Sequence, residues 1–147
     1  MGTQFLLSAM VATLAASTAP VFTADCDITV GLVMELTGPA GEYGQAGAKS
    51  VEMAFRDFND AGGVDGCKIV ADTRDSQSQG NVAVDQATQL VNIKKVPVII
   101  GGIISSVSIP TLISVTALAQ IVQVSPASSP SPLTELGRPA TTVGLSL

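Results

Sequence analysis

The amino-acid sequence predicts an α/β fold, a three-layer, open, doubly wound parallel sheet with strand order 2-1-3-4. Three observations predict it. Short β-branched runs alternate with helix-length amphipathic stretches from Asp25 onward. No pair of runs is joined by a hairpin-type turn. The third run is apolar at every position, which suits a strand covered by helices on both faces.

Taken in order, Ile28–Val33 is the first strand, followed by the turn-rich Thr37-Gly38-Pro39-Ala40-Gly41. From about Gly44 to Asp60 the apolar residues Val51, Ala54, Phe55 and Phe58 recur at helical spacing and predict one buried stripe. Gly62-Gly63 ends that helix. Lys68–Thr73 is the second strand. A second helix opens between Ser78 and Asn81, with Ala83, Ala87, Leu90 and Val91 as its core face. Pro97 interrupts, and Val98–Gly101 is the third strand. Ser105–Ala119 is the third helix, with Pro110 expected in its first turn, where a missing N–H is tolerated. Ile121–Val124 is the fourth strand. Parallel strands joined by helices require right-handed crossovers, and these put helices on both faces.

The first two dozen residues read differently. Phe5–Ala16 is an uncharged apolar run, shorter than the roughly 20 residues a membrane-spanning helix needs. Small residues follow up to Ala24, before the first charge at Asp25. This predicts a secretory signal over 1–24, cleaved after Ala24, although no Lys or Arg precedes the run and Phe22 is bulky beside the cleavage point. The expected organisation is a signal peptide at 1–24, a ligand-binding lobe at 25–129, and an irregular, truncated tail at 130–147. The expected location is the periplasm.

Cys26 and Cys67 are the only cysteines. Each stands just before a strand, and the two strands are expected to be parallel neighbours. An oxidising compartment and that placement favour a disulfide over two buried thiols.

Composition narrows the function classes. Hydrophobic residues make up 46% and charged residues 13%, with a net charge of −5. No nucleic-acid partner is expected, because phosphate binding needs clustered Lys and Arg. Histidine is absent. That removes Ser-His-Asp and Cys-His catalysis and the commonest zinc ligand. No metal, cofactor or enzymatic activity is expected. Gly38-x-x-Gly41-x-x-Gly44 is not a dinucleotide fingerprint, and no Gly-Lys-Ser/Thr follows it.

Open α/β sheets bind ligands outside the carboxyl ends of their strands, where strand order reverses. That crevice lies between the first and third strands, with the fourth alongside. Three loops meet there: Glu35–Tyr43, Gly102–Ser106 and Ser125–Ser129. Gly101-Gly102 permits close backbone approach. Ser105 and Ser106 offer hydroxyls at a helix start, and Ser128 and Ser129 add more beside them. A small carboxylate fits such a set. The plainer alternative makes Ser105 and Ser106 N-caps worth about 1 kcal/mol, Ser128 and Ser129 loop residues, and Tyr43 a staple at the start of its helix.

Several segments carry a family resemblance. Ile28–Leu32 through Leu36-Thr37-Gly38-Pro39 and Tyr43-Gly44-Gln45 resembles the opening of type I periplasmic binding proteins, the branched-chain amino-acid receptors of ABC transporters. Asn59–Gly66, Asp72–Gln77, Ile100-Gly101-Gly102 with Ser105-Ser106, and Val124–Ser129 continue the likeness in the same order, over roughly Cys26 to Arg138.

The resemblance implies the first of two lobes that close over a ligand. It implies that Ser105, with the region of Ser106, holds the α-carboxylate of an amino acid. Ala127 would offer its backbone carbonyl to the α-ammonium. Ser129 would reach both ends of the zwitterion, Ser128 would line the site, and Tyr43 would approach the ligand side chain. The implied partner is an inner-membrane ABC permease. The chain ends where the family continues, and Pro139–Leu147 does not resemble the family's next strand. A truncated fragment without binding function, or a flavodoxin-like enzyme, is the alternative. The enzyme would need carboxylates at the ends of the first and third strands, where this chain has Glu35 and Gly101-Gly102.

Overall fold

A computed structural model describes residues 26–128 and 142–144. The signal segment expected at 1–24, Ser129 and most of the tail lie outside the described residues. The elements are β1 (Asp27–Met34), α1 (Gly41–Asp60), β2 (Lys68–Asp75), α2 (Gly80–Asn92), β3 (Val98–Gly101), α3 (Ser105–Thr111), a π-helical turn (Leu112–Thr116), α4 (Ala117–Ala119), β4 (Val122–Ser125) and β5 (Thr142–Gly144). The sheet runs β2-β1-β3-β4-β5 and every strand pair is parallel. The order 2-1-3-4 is as the sequence predicts. The difference lies in the tail. Thr142–Gly144, expected to be irregular, pairs with Gln123–Ser125 and extends the sheet by one strand.

Two apolar layers sandwich the sheet. On one face Val33 and Ile99 pack with Ala83, Ala87, Leu90 and Val91 of α2 and with Val107 and Val115 of the third helical segment. On the other, Val30, Leu32 and Met34 pack with Ala48, Val51 and Phe55 of α1. Successive β1 residues feed opposite layers because strand side chains alternate.

The burial stripe of α2 is the one its spacing predicts. That of α1 is rotated. Gly41, Gly44 and Ala48 are its buried residues, with Val51 and Phe55 half-buried, whereas Ala54 is exposed and Phe58 is 59% exposed. The helix is drawn close by its small N-terminal residues, and a Cβ at Gly44 would run into the backbone of Glu35. Its C-terminal turns are held by Asn59, whose carboxamide donates to the Ile69 carbonyl (2.9 Å) and accepts the Ile69 N–H (2.8 Å). Phe58 therefore sits beside the stripe rather than in it.

Residues 105–119 are helical throughout, as expected, but Pro110 is the sixth residue of α3 and not in the first turn. Proline there removes the bond to the Ser106 carbonyl. That carbonyl lies against Gly80, where a side chain would collide with it. The π turn follows two residues later, and Gln120 ends the segment in the left-handed region with φ 57°.

Cys26 and Cys67 form a disulfide with a Cα–Cα distance of 4.7 Å. The register explains it. Asp27 is opposite Lys68 in the parallel ladder, so the preceding residues are neighbours. Among the described residues no helix is long and apolar enough to cross a membrane.

Candidate functional site

The carboxyl ends of β1, β3 and β4 come together at one edge of the sheet, and strand order reverses between β1 and β3. Four loops leave that edge, and polar side chains tie them to one another.

Asp75, the last residue of β2, holds the loop after β1. Its Oδ1 accepts the N–H groups of Leu36 (2.9 Å), Thr37 (3.1 Å) and Gln77 (2.8 Å), and its Oδ2 accepts the Thr37 hydroxyl (2.6 Å). Partial burial pushes its carboxyl up, but the Thr37 hydroxyl and the three amides outweigh this and hold it below the usual carboxylate range. Ser78 adds a second tie, donating to the Thr37 carbonyl (2.8 Å) and accepting the Ala40 N–H (3.2 Å).

Glu35 holds the loop after β3. It is fully buried, and its two carboxylate oxygens accept the N–H groups of Ile103 (3.2 Å) and Ile104 (3.1 Å). The carboxylate required by a flavodoxin-like acidic pocket is thus engaged by backbone. Gly102, at φ 69°, makes the sharp turn into α3, and a Cβ there would stand 2.5 Å from Ser108.

Behind this loop is a buried hydroxyl cluster. Ser125 donates to the Gly102 carbonyl (2.5 Å) and accepts the Ser128 N–H (3.2 Å). The Ser128 hydroxyl donates to Ser105 (3.2 Å) and lies 2.6 Å from the Ser108 hydroxyl. Gln123 donates to the Ser108 carbonyl (3.1 Å) and accepts the Thr116 hydroxyl (2.7 Å). Neutral polar groups this deep remain only because each has a partner.

The residues singled out in the sequence distribute unevenly. Ser105 and Ser128 are brought within hydrogen-bonding distance, Ser105 half-buried and Ser128 buried. Ala127 is exposed on the same loop as Ser128. Ser106 is exposed, one residue along α3. Tyr43 is 71% exposed on the first turn of α1 and has no hydrogen bond to this cluster among the described residues. Sequence reasoning missed Glu35 as a loop anchor, and it missed Asp75, Ser108, Thr116 and Gln123. A glutamine inside the apolar run Ile121-Val122-Gln123-Val124 was the one available signal for the buried network. The Asp75 clasp had no signal beyond its place in a family-like segment.

Comparison with known proteins agrees with this architecture. A family model described as periplasmic binding protein matches residues 27–141. A Leu/Ile/Val-binding protein, BraC3, of Rhizobium johnstonii is 32% identical over 131 residues, covering 89% of this chain and 35% of that protein. A Leu/Ile/Val-binding protein homolog 1 of Brucella abortus is 34% identical over 111 residues, 76% of this chain and 29% of its own length. Among solved structures, the branched-chain amino-acid transporter substrate-binding protein LivJ of Streptococcus pneumoniae, in complex with isoleucine, superposes with a TM-score of 0.75 at 26% identity. It covers 80% of this chain and 33% of its own. The chain spans about a third of the length of the relatives it matches.

Proposed function

The chain belongs to the periplasmic binding protein family, and from that premise we propose that it carries part of the recognition site for a branched-chain or related amino acid, delivered to an inner-membrane ABC permease. The observation that carries the reading is the pairing of Ser105 with Ser128 past the carboxyl ends of β3 and β4, next to the strand-order reversal and beside the exposed Ala127. It is supported by Leu/Ile/Val-binding relatives and by a structural neighbour holding isoleucine.

In this reading the Ser105 hydroxyl, with the adjoining Ser106 region, donates to the ligand α-carboxylate. The Ala127 carbonyl accepts from the α-ammonium. Ser129 bridges the two groups, Ser128 lines the site, and Tyr43 stands near the side-chain end. The chemistry is binding without covalent change. Neutral hydroxyl and carbonyl dipoles suit a zwitterion, because they satisfy both charges without adding a net charge to be desolvated. The export segment at 1–24 and a periplasmic location belong to the same proposal.

This chain spans about a third of the relatives' length and so supplies only part of the surface that surrounds a ligand in this reading. Ordering and desolvation are then incompletely offset. The 147-residue chain should bind leucine or isoleucine in the millimolar range or weaker, with a free energy no more favourable than about −4 kcal/mol. Isothermal titration checks this, together with NMR shifts at the Ser105 and Ser128 amides. Shifts confined to another surface would refute the site, and micromolar affinity would refute the incomplete surface.

A further inference from the structure

We propose that Ser108 is a positioning residue which sets the direction of a hydroxyl relay, Ser108 to Ser128 to Ser105, leaving the Ser105 proton as the one directed at a bound carboxylate. This deepens the reading above and rests on it for the ligand, while the direction of the relay stands on its own.

A count of protons fixes the direction. Each hydroxyl has one. The Ser125 proton goes to the Gly102 carbonyl, and the Thr116 proton goes to Gln123 Oε1. The geometry between Ser128 and Ser105 has Ser128 as donor. With the Ser128 proton assigned to Ser105, the network is consistent when Ser108 is the donor in the 2.6 Å contact between Ser108 and Ser128. Among the described residues no acceptor takes the Ser105 proton. It stands at the only half-buried end of a chain whose other members are buried.

Ser108 is well placed to hold this polarity. It is 1% exposed, so water does not compete for its proton. Its backbone carbonyl receives Gln123 Nε2, and Gly102 packs so tightly against it that a single added carbon would collide. Gln123 is fixed in turn by Thr116, in the π turn. Aligned hydroxyls polarise one another, so a chain donating outward makes Ser105 a stronger donor than an isolated serine. Such an end favours a carboxylate and disfavours a group that presents only a donor.

Two measurements on the intact chain test the relay. The first is hydroxyl-proton NMR without ligand. The protons of Ser108 and Ser128 should exchange slowly and that of Ser105 quickly. A slowly exchanging Ser105 proton directed back at Ser128 would overturn the proposal, whether or not any amino acid binds. The second is leucine titration followed at the Ser105 amide, for the wild type, Ser108→Ala and Ser108→Cys. Ser108→Ala should weaken binding about three- to tenfold by loss of one buried donor, with Ser108→Cys in between because a thiol donates weakly. Equal affinities in all three would overturn the role in binding. A wild-type chain showing no shift at Ser105 defeats the amino-acid reading alone, and the exchange data then decide the relay.

Discussion

Asp75 shows how one carboxylate can organise two loops at the carboxyl edge of a parallel sheet. It gathers three amides and a hydroxyl from two loops, and its folded-state carboxyl titrates below the ordinary range for that reason. A group whose pKa is depressed on folding contributes stability that is fully present above its unfolded value and is lost as pH falls through the lower folded value. The clasp should hold at neutral pH and fail only in acid below the ordinary carboxylate range. Asp75→Asn keeps an oxygen for the amides but loses the acceptor for the Thr37 hydroxyl. It should cost about 1–2 kcal/mol at pH 7 and flatten the acid limb of the stability profile. Urea titrations at several pH values would show this, and an unchanged acid limb would mean that other carboxylates control it. Nothing in the sequence marked Asp75 above its neighbour Asp72, which is engaged by Arg74 two residues away on the same strand. The distinction arises only when β1 and β2 lie in register and bring Leu36 and Thr37 beside Asp75.

At the level of elements, periodicity located every helix and the first four strands, because side-chain spacing reports which face is buried. It placed α2 correctly down to its four core residues. On α1 it favoured the large residues and overlooked the small ones. Gly44 and Ala48 are where that helix approaches the sheet, while Phe58 projects at its flank. Phe55→Ala should therefore cost about 2–3 kcal/mol and Phe58→Ala less than about 1 kcal/mol. Thermal denaturation of the two variants checks the ordering, and equal losses would show that Phe58 is covered in solution. The π turn after Pro110 was likewise invisible, since an i to i+5 bond leaves no spacing signature in so short a segment. The short β5 was missed because three residues bounded by a Pro-, Ser- and Thr-rich stretch carry too little pattern to be read as a strand.

At the scale of the described fold, covalent and polar ties hold the β2 side of the parallel sheet. The disulfide joins the starts of β1 and β2, and Asn59 covers backbone groups of Ile69. Cross-linking residues 41 apart stabilises by up to about 4 kcal/mol on chain-entropy grounds. Replacing both cysteines by alanine should lower stability by about 2–4 kcal/mol while leaving the Ser105–Ser128 pair in place, since it lies at the opposite ends of the strands. Denaturant midpoints of the variant, and of the wild type with and without reductant, would establish the size. An unchanged midpoint would show that the parallel ladder alone holds this edge.

The sequence by itself determined the fold class, the strand order 2-1-3-4 and the disulfide. Those properties follow from local patterning and from topological rules that hold for any chain of this design. Only the tertiary structure decided which polar residues tie together the loops at the carboxyl edge of the sheet. Glu35, Asp75, Ser108, Thr116 and Gln123 act through partners from 2 to 69 positions away. Hydrogen-bond partnership over such separations is set by packing and register, and spacing along the chain does not encode it.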